Sequence, residues 1–102
     1  MRLAGLVPVR FYFAETDSRP EGWGRLMRVS ARQAEVLTRF KLEREDRIKL
    51  FFDLQGRGFE NLKAWVVDVE VDADGYFVAQ LHFPDEQEAS KLGEALREIL
   101  SR

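Results

Sequence analysis

From Val7 onward, apolar residues recur at every second position, with Val7, Val9, Phe11 and Phe13 alternating with Pro8, Arg10 and Tyr12. A period of two sends successive side chains to opposite faces of an extended chain, so this stretch reads as a strand over about residues 6–14. The turn formers of TDSRPEG (16–22) follow, and then a second strand at about 22–29, from Trp23 to Val29, with looser alternation. Ala34 and Val36 predict a short third strand at about 33–38, before the mixed-charge stretch RFKLEREDR (39–47), which reads as a solvated connection.

Ile48, Leu50, Phe52 and Leu54 form one face of a fourth strand at about 47–54, and QGRG (55–58) ends or turns it. A fifth strand at about 62–72 sets Trp65, Val67, Val69 and Val71 on one face against Asp68, Glu70 and Asp72. Asp74-Gly75 suits the positive φ angles of a tight hairpin, and a sixth strand at about 75–83 then places Phe77, Ala79, Leu81 and Phe83 inside.

After Pro84 the period becomes helical, predicting a helix over about 85–100. Asp85 caps it, and Glu88 three residues on completes a capping box. Ala89, Leu92, Leu96 and Ile99 form one apolar stripe with Ala95 and Leu100 beside it, and Gly93 permits close packing. Six short strands and one amphipathic helix predict a mainly β domain spanning 1–102, an antiparallel barrel or sandwich with the helix over an open end.

With 102 residues, 45% of them hydrophobic and 33% charged, the chain has the means for one buried core. It holds no apolar run of the ~18–20 residues needed to cross a bilayer, and Arg10 interrupts the N-terminal apolar stretch before it resembles a signal sequence. The absence of cysteine fits the cytoplasm and excludes thiolate chemistry. A net charge of −2 argues against general nucleic-acid binding. That average conceals an asymmetry: residues 1–50 carry 11 Lys/Arg and 7 Asp/Glu (+4), whereas residues 51–102 carry 5 and 11 (−6). An anionic partner would therefore be drawn to surface built from the first half.

Candidate chemistry is sparse. The one histidine, His82, falls on the outward phase of strand six, and no nucleophile elbow surrounds any of the four serines. One His without Cys makes a zinc site improbable. DADG (72–75) lacks the later ligands of a calcium loop, and QGRG lacks the Lys-Ser/Thr of a phosphate loop. Tyr12, Phe51 and Tyr76 occupy polar phases of their strands, which implies cover by the helix or a second sheet, or else an exposed patch for a partner.

The stretch from about Pro8 to Leu100 resembles the PilZ family, bacterial domains that act as receptors for cyclic di-GMP. The layout carries the likeness: PVRFYF, then GWGRLMRVSARQAEVL around a serine, DRIKLFFDL, KAWVVDVEVDADGYFVAQLHF and the closing helix. The resemblance implies a six-stranded antiparallel barrel with one C-terminal α-helix. The family's ligand signature is R-x-x-x-R at or before the first strand and (D/N)-x-S-x-x-G between the second and third. Its arginines can stack on guanine and bond its O6/N7 edge or a phosphate.

Here the second motif falls on Arg28-Val29-Ser30-Ala31-Arg32-Gln33, where only Ser30 is retained. Arg28 replaces an acceptor and Gln33 replaces the glycine, while Arg2 is followed four residues later by Leu6, and Arg10 by Ala14. Each lost polar contact costs on the order of 1–3 kcal/mol, so these departures predict no high-affinity cyclic di-GMP binding in the family's usual mode. Arg25, Arg28 and Arg32, with Arg2 or Arg10, form a candidate cationic patch whose plainer role is a charged edge that discourages aggregation.

The resulting expectation is a non-enzymatic regulatory adaptor without a cofactor, acting on a protein partner as a monomer or homodimer. One alternative is a cyclic di-GMP receptor that uses Arg25, Arg28, Ser30 and Arg32. Another is a small-barrel binder of single-stranded nucleic acid with Tyr12, Phe51 or Tyr76 as stacking platforms.

Overall fold

The strands and the helix form in the expected order in a computed structural model that describes residues 1–13 and 18–101. They are β1 (Pro8–Phe13), β2 (Gly22–Val29), β3 (Gln33–Thr38), β4 (Arg47–Leu54), β5 (Arg57–Val71), β6 (Phe77–His82) and α1 (Glu86–Leu100). All strand pairings are antiparallel. The sheet closes into a barrel in the order β1-β2-β3-β6-β5-β4. β1 makes the closure by pairing Val9 with Gly24 on one side and with Phe52 on the other.

The alternation seen in the sequence supplies the inner face. Val9 and Phe11, Ala34 and Val36, Ile48, Leu50, Phe52 and Leu54, and Ala79 and Leu81 are all buried. Phe83 extends this core beyond β6 to the helix, which adds Leu92, Leu96 and Ile99.

Three irregularities bend the barrel wall, each at a place where the apolar period slips. Met27 is an extra residue in β2 between the Leu26–Val36 and Arg28–Glu35 pairs. Glu60 and Asn61 together face Phe51, and Asn61 adopts a left-handed φ of 53°. Val67 is extra in β5 between the Val66–Leu81 and Asp68–Gln80 pairs. A bulge adds a residue to one strand and increases the local twist, which helps a sheet curl shut.

These bulges correct the reading of β5. Leu62, Ala64 and Val66 face inward, while Trp65 and Val67, expected inside, are exposed. Past the Val67 bulge Val69 packs against the core while Asp68 and Glu70 remain outside, but Val71, expected on the same face, is exposed at the end of the strand. β5 also begins five residues earlier than expected, because Gln55 and Gly56 alone make the turn after β4, with φ of 48° and 85°. Positive φ at both central residues belongs to the two-residue hairpin turn whose twist matches its strands. The Asp72–Tyr76 loop is wider: Asp72 Oδ1 accepts from the Asp74 and Tyr76 amides, and only Gly75 in it has positive φ.

The 39–47 connection is less solvated than its charge suggests. Leu42 is buried in the core, and Asp46 holds the Arg19 guanidinium through both carboxylate oxygens at 2.7 and 2.9 Å. β1 begins at Pro8, two residues later than expected, although the Val7 carbonyl still accepts from Leu26. Its expected last residue, 14, lies outside the described residues, as do 15–17 of the following turn.

α1 starts at its expected cap, where Asp85 Oδ1 accepts from the Gln87 and Glu88 amides at 2.9 and 3.0 Å. The reciprocal half of the box is different. Glu88 accepts from the Lys63 amide of β5 at 3.0 Å, so its carboxylate fastens the helix to the barrel. Leu100, expected beside the apolar stripe, is exposed at the last turn. Gly93 lets the helix approach the β2–β3 turn, where an added Cβ would lie 3.3 Å from that of Ala31.

Gly24 marks the tightest approach in the wall, since a Cβ there would lie 2.4 Å from the Leu37 carbonyl oxygen and 2.8 Å from Thr38 Cβ. Backbone on the neighbouring strand cannot yield as a flexible side chain can. Gly24→Ala should therefore lower unfolding free energy by about 1–3 kcal/mol, whereas Gly5→Ala, with nothing within 4 Å, should be near neutral. Urea denaturation of the two variants checks this.

Candidate functional site

The residues around Ser30, expected to hold a motif remnant, form the turn between β2 and β3. The Ser30 amide donates to the Gln33 carbonyl at 2.8 Å, and the Gln33 amide donates back to Ser30 Oγ at 3.2 Å. The serine hydroxyl therefore stabilises its own turn. Arg32 carries the turn onto the next elements. Its carbonyl accepts from Phe83, and its guanidinium donates to Glu86 in the first turn of α1 at 2.7 Å. This pairing holds the Glu86 carboxyl below, and the Arg32 guanidinium above, its ordinary pKa.

The arginines expected to form one patch enter three different surroundings. Arg32 lies against the helix, in a depression of about 290 Å³ shared with Ala31, Glu86 and Gly93. Arg28 faces outward on the barrel wall opposite Glu35, whose carboxylate accepts from Gln80 at 2.6 Å. Met27 makes that orientation possible, because without the extra residue Arg28 would share the inward phase of Leu26. Arg25 lies on the other side of the bulge, with its Nε donating to Met27 Sδ.

Arg2 joins Arg28 by an isolated β-bridge. The Leu3 amide donates to the Met27 carbonyl and the Val29 amide to the Met1 carbonyl, so the first residues run along the end of β2. Arg10 lies opposite Trp23 across the β1–β2 pairing, 6.0 Å from the Phe51 ring centroid.

The outward aromatics are covered neither by the helix nor by a second sheet. Tyr12 and Phe51 pack edge to face with centroids 5.1 Å apart on the outer wall, and the Arg39 guanidinium lies over Tyr76 at 4.7 Å. The Tyr12 hydroxyl donates to Glu21, which raises its pKa above the ordinary value. All three are half-buried.

A second concavity, not foreseen in the sequence, opens on the wall around Trp23. It encloses about 550 Å³ between Trp23, Phe40 and Tyr76, with Leu6, Arg25 and Arg39 at its rim. Trp23 rests edge to face on Phe40 at 4.5 Å, and Phe40 in turn on the buried Phe11 at 6.4 Å. Beneath them the buried Thr38 hydroxyl donates to the Trp23 carbonyl at 2.6 Å and accepts from the Phe40 amide at 3.1 Å. The signal for Trp23 was its odd offset from the inward Leu26, between two glycines. Phe40 and Arg39 lacked such a signal, because their placement depends on how the 39–47 connection folds back.

The fold is similar to that of a solved Bacillus subtilis protein, the inhibitor of motility MotI/DgrA. The likeness has a TM-score of 0.67 at 14% sequence identity and covers 99% of this chain. The chain spans about half of that protein, 50% of its length. No family model and no curated protein matches the sequence. A likeness at this identity concerns the fold, the six-stranded barrel with its C-terminal helix.

Among the described residues, no group of three or more His, Asp or Glu side chains is placed to hold a metal ion, and no helix is long and apolar enough to cross a membrane. His82 sits on the outer wall, 6.4 Å from the Trp65 ring and paired with Gln33 across β3.

Because Arg32 depresses Glu86, the pair stabilises the fold fully above the ordinary Glu86 value of 4.5 and loses that contribution as pH falls through the lower folded value. Arg32→Ala should raise the Glu86 pKa from its depressed value, read by a carboxyl-carbon NMR titration, and should change the acid limb of thermal stability only slightly because both side chains are exposed. Asp85, depressed chiefly by the Glu88 amide, should keep its low value in that variant.

Proposed function

We propose that this chain is a PilZ-like regulatory adaptor of bacterial origin, without enzymatic activity, that works in the cytoplasm through protein contacts and does not bind cyclic di-GMP with high affinity. One observation carries the reading: the groups left at the ligand motif are engaged within the fold. Ser30 stabilises its own turn, Arg32 is paired with Glu86, and Arg28 stands opposite Glu35 where an acceptor for guanine would be needed. A ligand would have to displace Glu86 from Arg32 and open the Ser30 turn while finding no carboxylate or amide at position 28. The name of the similar solved protein, an inhibitor of motility, is in keeping with a regulatory role.

A specific observation favours a second reading, a receptor with a non-standard arginine site. The bridge between Arg2 and Arg28 brings two guanidinium-bearing residues side by side on the wall, and an anionic nucleotide could be drawn to them. The two readings separate in a single titration. Calorimetry with cyclic di-GMP should show no saturable heat at micromolar ligand. A one- or two-to-one isotherm that disappears in Arg28→Glu would establish the receptor reading instead.

A further inference from the structure

We infer that the groove around Trp23 is the docking site for a partner protein's acidic segment, one bulky apolar side chain flanked by Asp or Glu. The inference rests on the adaptor reading and specifies its surface.

The floor and the rim of the groove have different chemistry. Trp23, Phe40 and Tyr76 make an aromatic floor, with Leu6 at one edge. Trp23 is 59% and Leu6 71% exposed, an expense of apolar surface that the barrel core does not require. Arg25 and Arg39 line the groove beside these rings, and none of the described residues lining it carries a carboxylate. In a chain of net charge −2, a concavity with two guanidinium groups and no acid among its described lining residues runs against the overall charge. Arg10, opposite Trp23 on β1, adds a third cation near the same face. The charge complement is an acidic partner.

The groove is also rigid before any partner arrives. Thr38 ties the Trp23 carbonyl to the Phe40 amide, and Phe40 is backed by Phe11, so the backbone beneath the groove and the Phe40 ring are held in place before binding. A guanidinium stacked on a ring, as Arg39 is on Tyr76, keeps its in-plane N–H donors available for a carboxylate. Trp, Tyr and Arg in one concavity are the residue types that most often dominate protein interfaces.

Barrel closure further constrains the mode of binding. With every strand paired on both sides, a partner finds no free edge to extend and must dock through side chains. Because Trp23, one of the rings lining the groove, is itself 59% exposed, the groove suits a segment anchored by one side chain better than an enclosed small molecule.

The test is selection of phage-displayed random dodecapeptides on the whole chain, followed by fluorescence anisotropy of a labelled selected peptide. The expected peptides carry Asp or Glu beside Trp, Phe or Leu. Their affinity should fall at least about tenfold in Trp23→Ala and in the double variant Arg25→Glu/Arg39→Glu, and stay within about twofold in Arg28→Glu. It should also weaken between about 50 and about 500 mM salt. The charge variant changes only exposed side chains and serves as the second route should Trp23→Ala melt early. Selected peptides without acidic residues, or binding indifferent to both groove variants, would overturn the inference. Binding that depends on Arg28 would overturn the groove while leaving the adaptor reading intact. Saturable binding of cyclic di-GMP together with selection of no peptide would remove both. A concentration-dependent dimer in light scattering that Trp23→Ala makes monomeric would assign the groove to a second copy of the chain and overturn the acidic partner.

Discussion

Pairing of β1 with both β2 and β4 is the constraint on which the rest of this molecule depends. Six residues, Pro8–Phe13, satisfy two neighbours at once and leave the sheet without an open edge. Six strands can close only if the wall bends sharply, and the bulges at Met27, Asn61 and Val67 supply part of that bend. Each bulge also changes which side chains face out. The Met27 bulge keeps Arg28 in solvent while Val29 enters the core. The Val67 bulge does the same for Asp68 and Glu70, and leaves Trp65 and Val67 on the surface. Curvature and surface chemistry in this barrel thus have one origin.

The fold was legible wherever the period of two ran unbroken. β3 and β4 begin and end where alternation of Ala34 with Val36 and of Ile48 through Leu54 places them, and Asp85 caps the helix as its position before the amphipathic stripe suggests. Legibility failed where a bulge interrupted the period. On β5 the run Trp65, Val67, Val69, Val71 resembles one apolar face, yet it straddles an extra residue, so its first half belongs outside and only Val69 packs on the core. The competing series Leu62, Ala64, Val66 was equally present in the sequence. Choosing between them needed the β6 register, which is a tertiary property.

The site was legible in part for a similar reason. Ser30 and its flanking arginines could be located by layout, because a turn between two strands is a local feature. What those residues do was not legible. Arg32 meets Glu86 across 54 positions of sequence, and Arg28 meets Glu35 only because the Met27 bulge resets the pairing. A cationic patch inferred from spacing assumes that neighbouring residues share a face, and a bulged strand running into a tight turn breaks that assumption. Arg25, Arg28 and Arg32 therefore enter a groove, a wall and a helix contact in turn.

Trp23 shows how closure and surface chemistry are connected. Its carbonyl is held by buried Thr38 and its ring is propped on Phe40, so the residue is fixed by the core although most of it faces solvent. Gly22 and Gly24 on either side let the neighbouring chain come close, with Phe11 against the first and the β3 backbone against the second. Packing that tight on either side fixes the backbone from which the indole projects. Charge then gives the feature a direction, because the first half of the chain, which carries the excess of Lys and Arg, also builds most of the groove. The acidic second half forms β5, β6 and the helix, and among the described residues contributes only Tyr76 to the lining. The charge asymmetry along the sequence is thereby folded into an asymmetry of surface, with the apolar floor on its basic side.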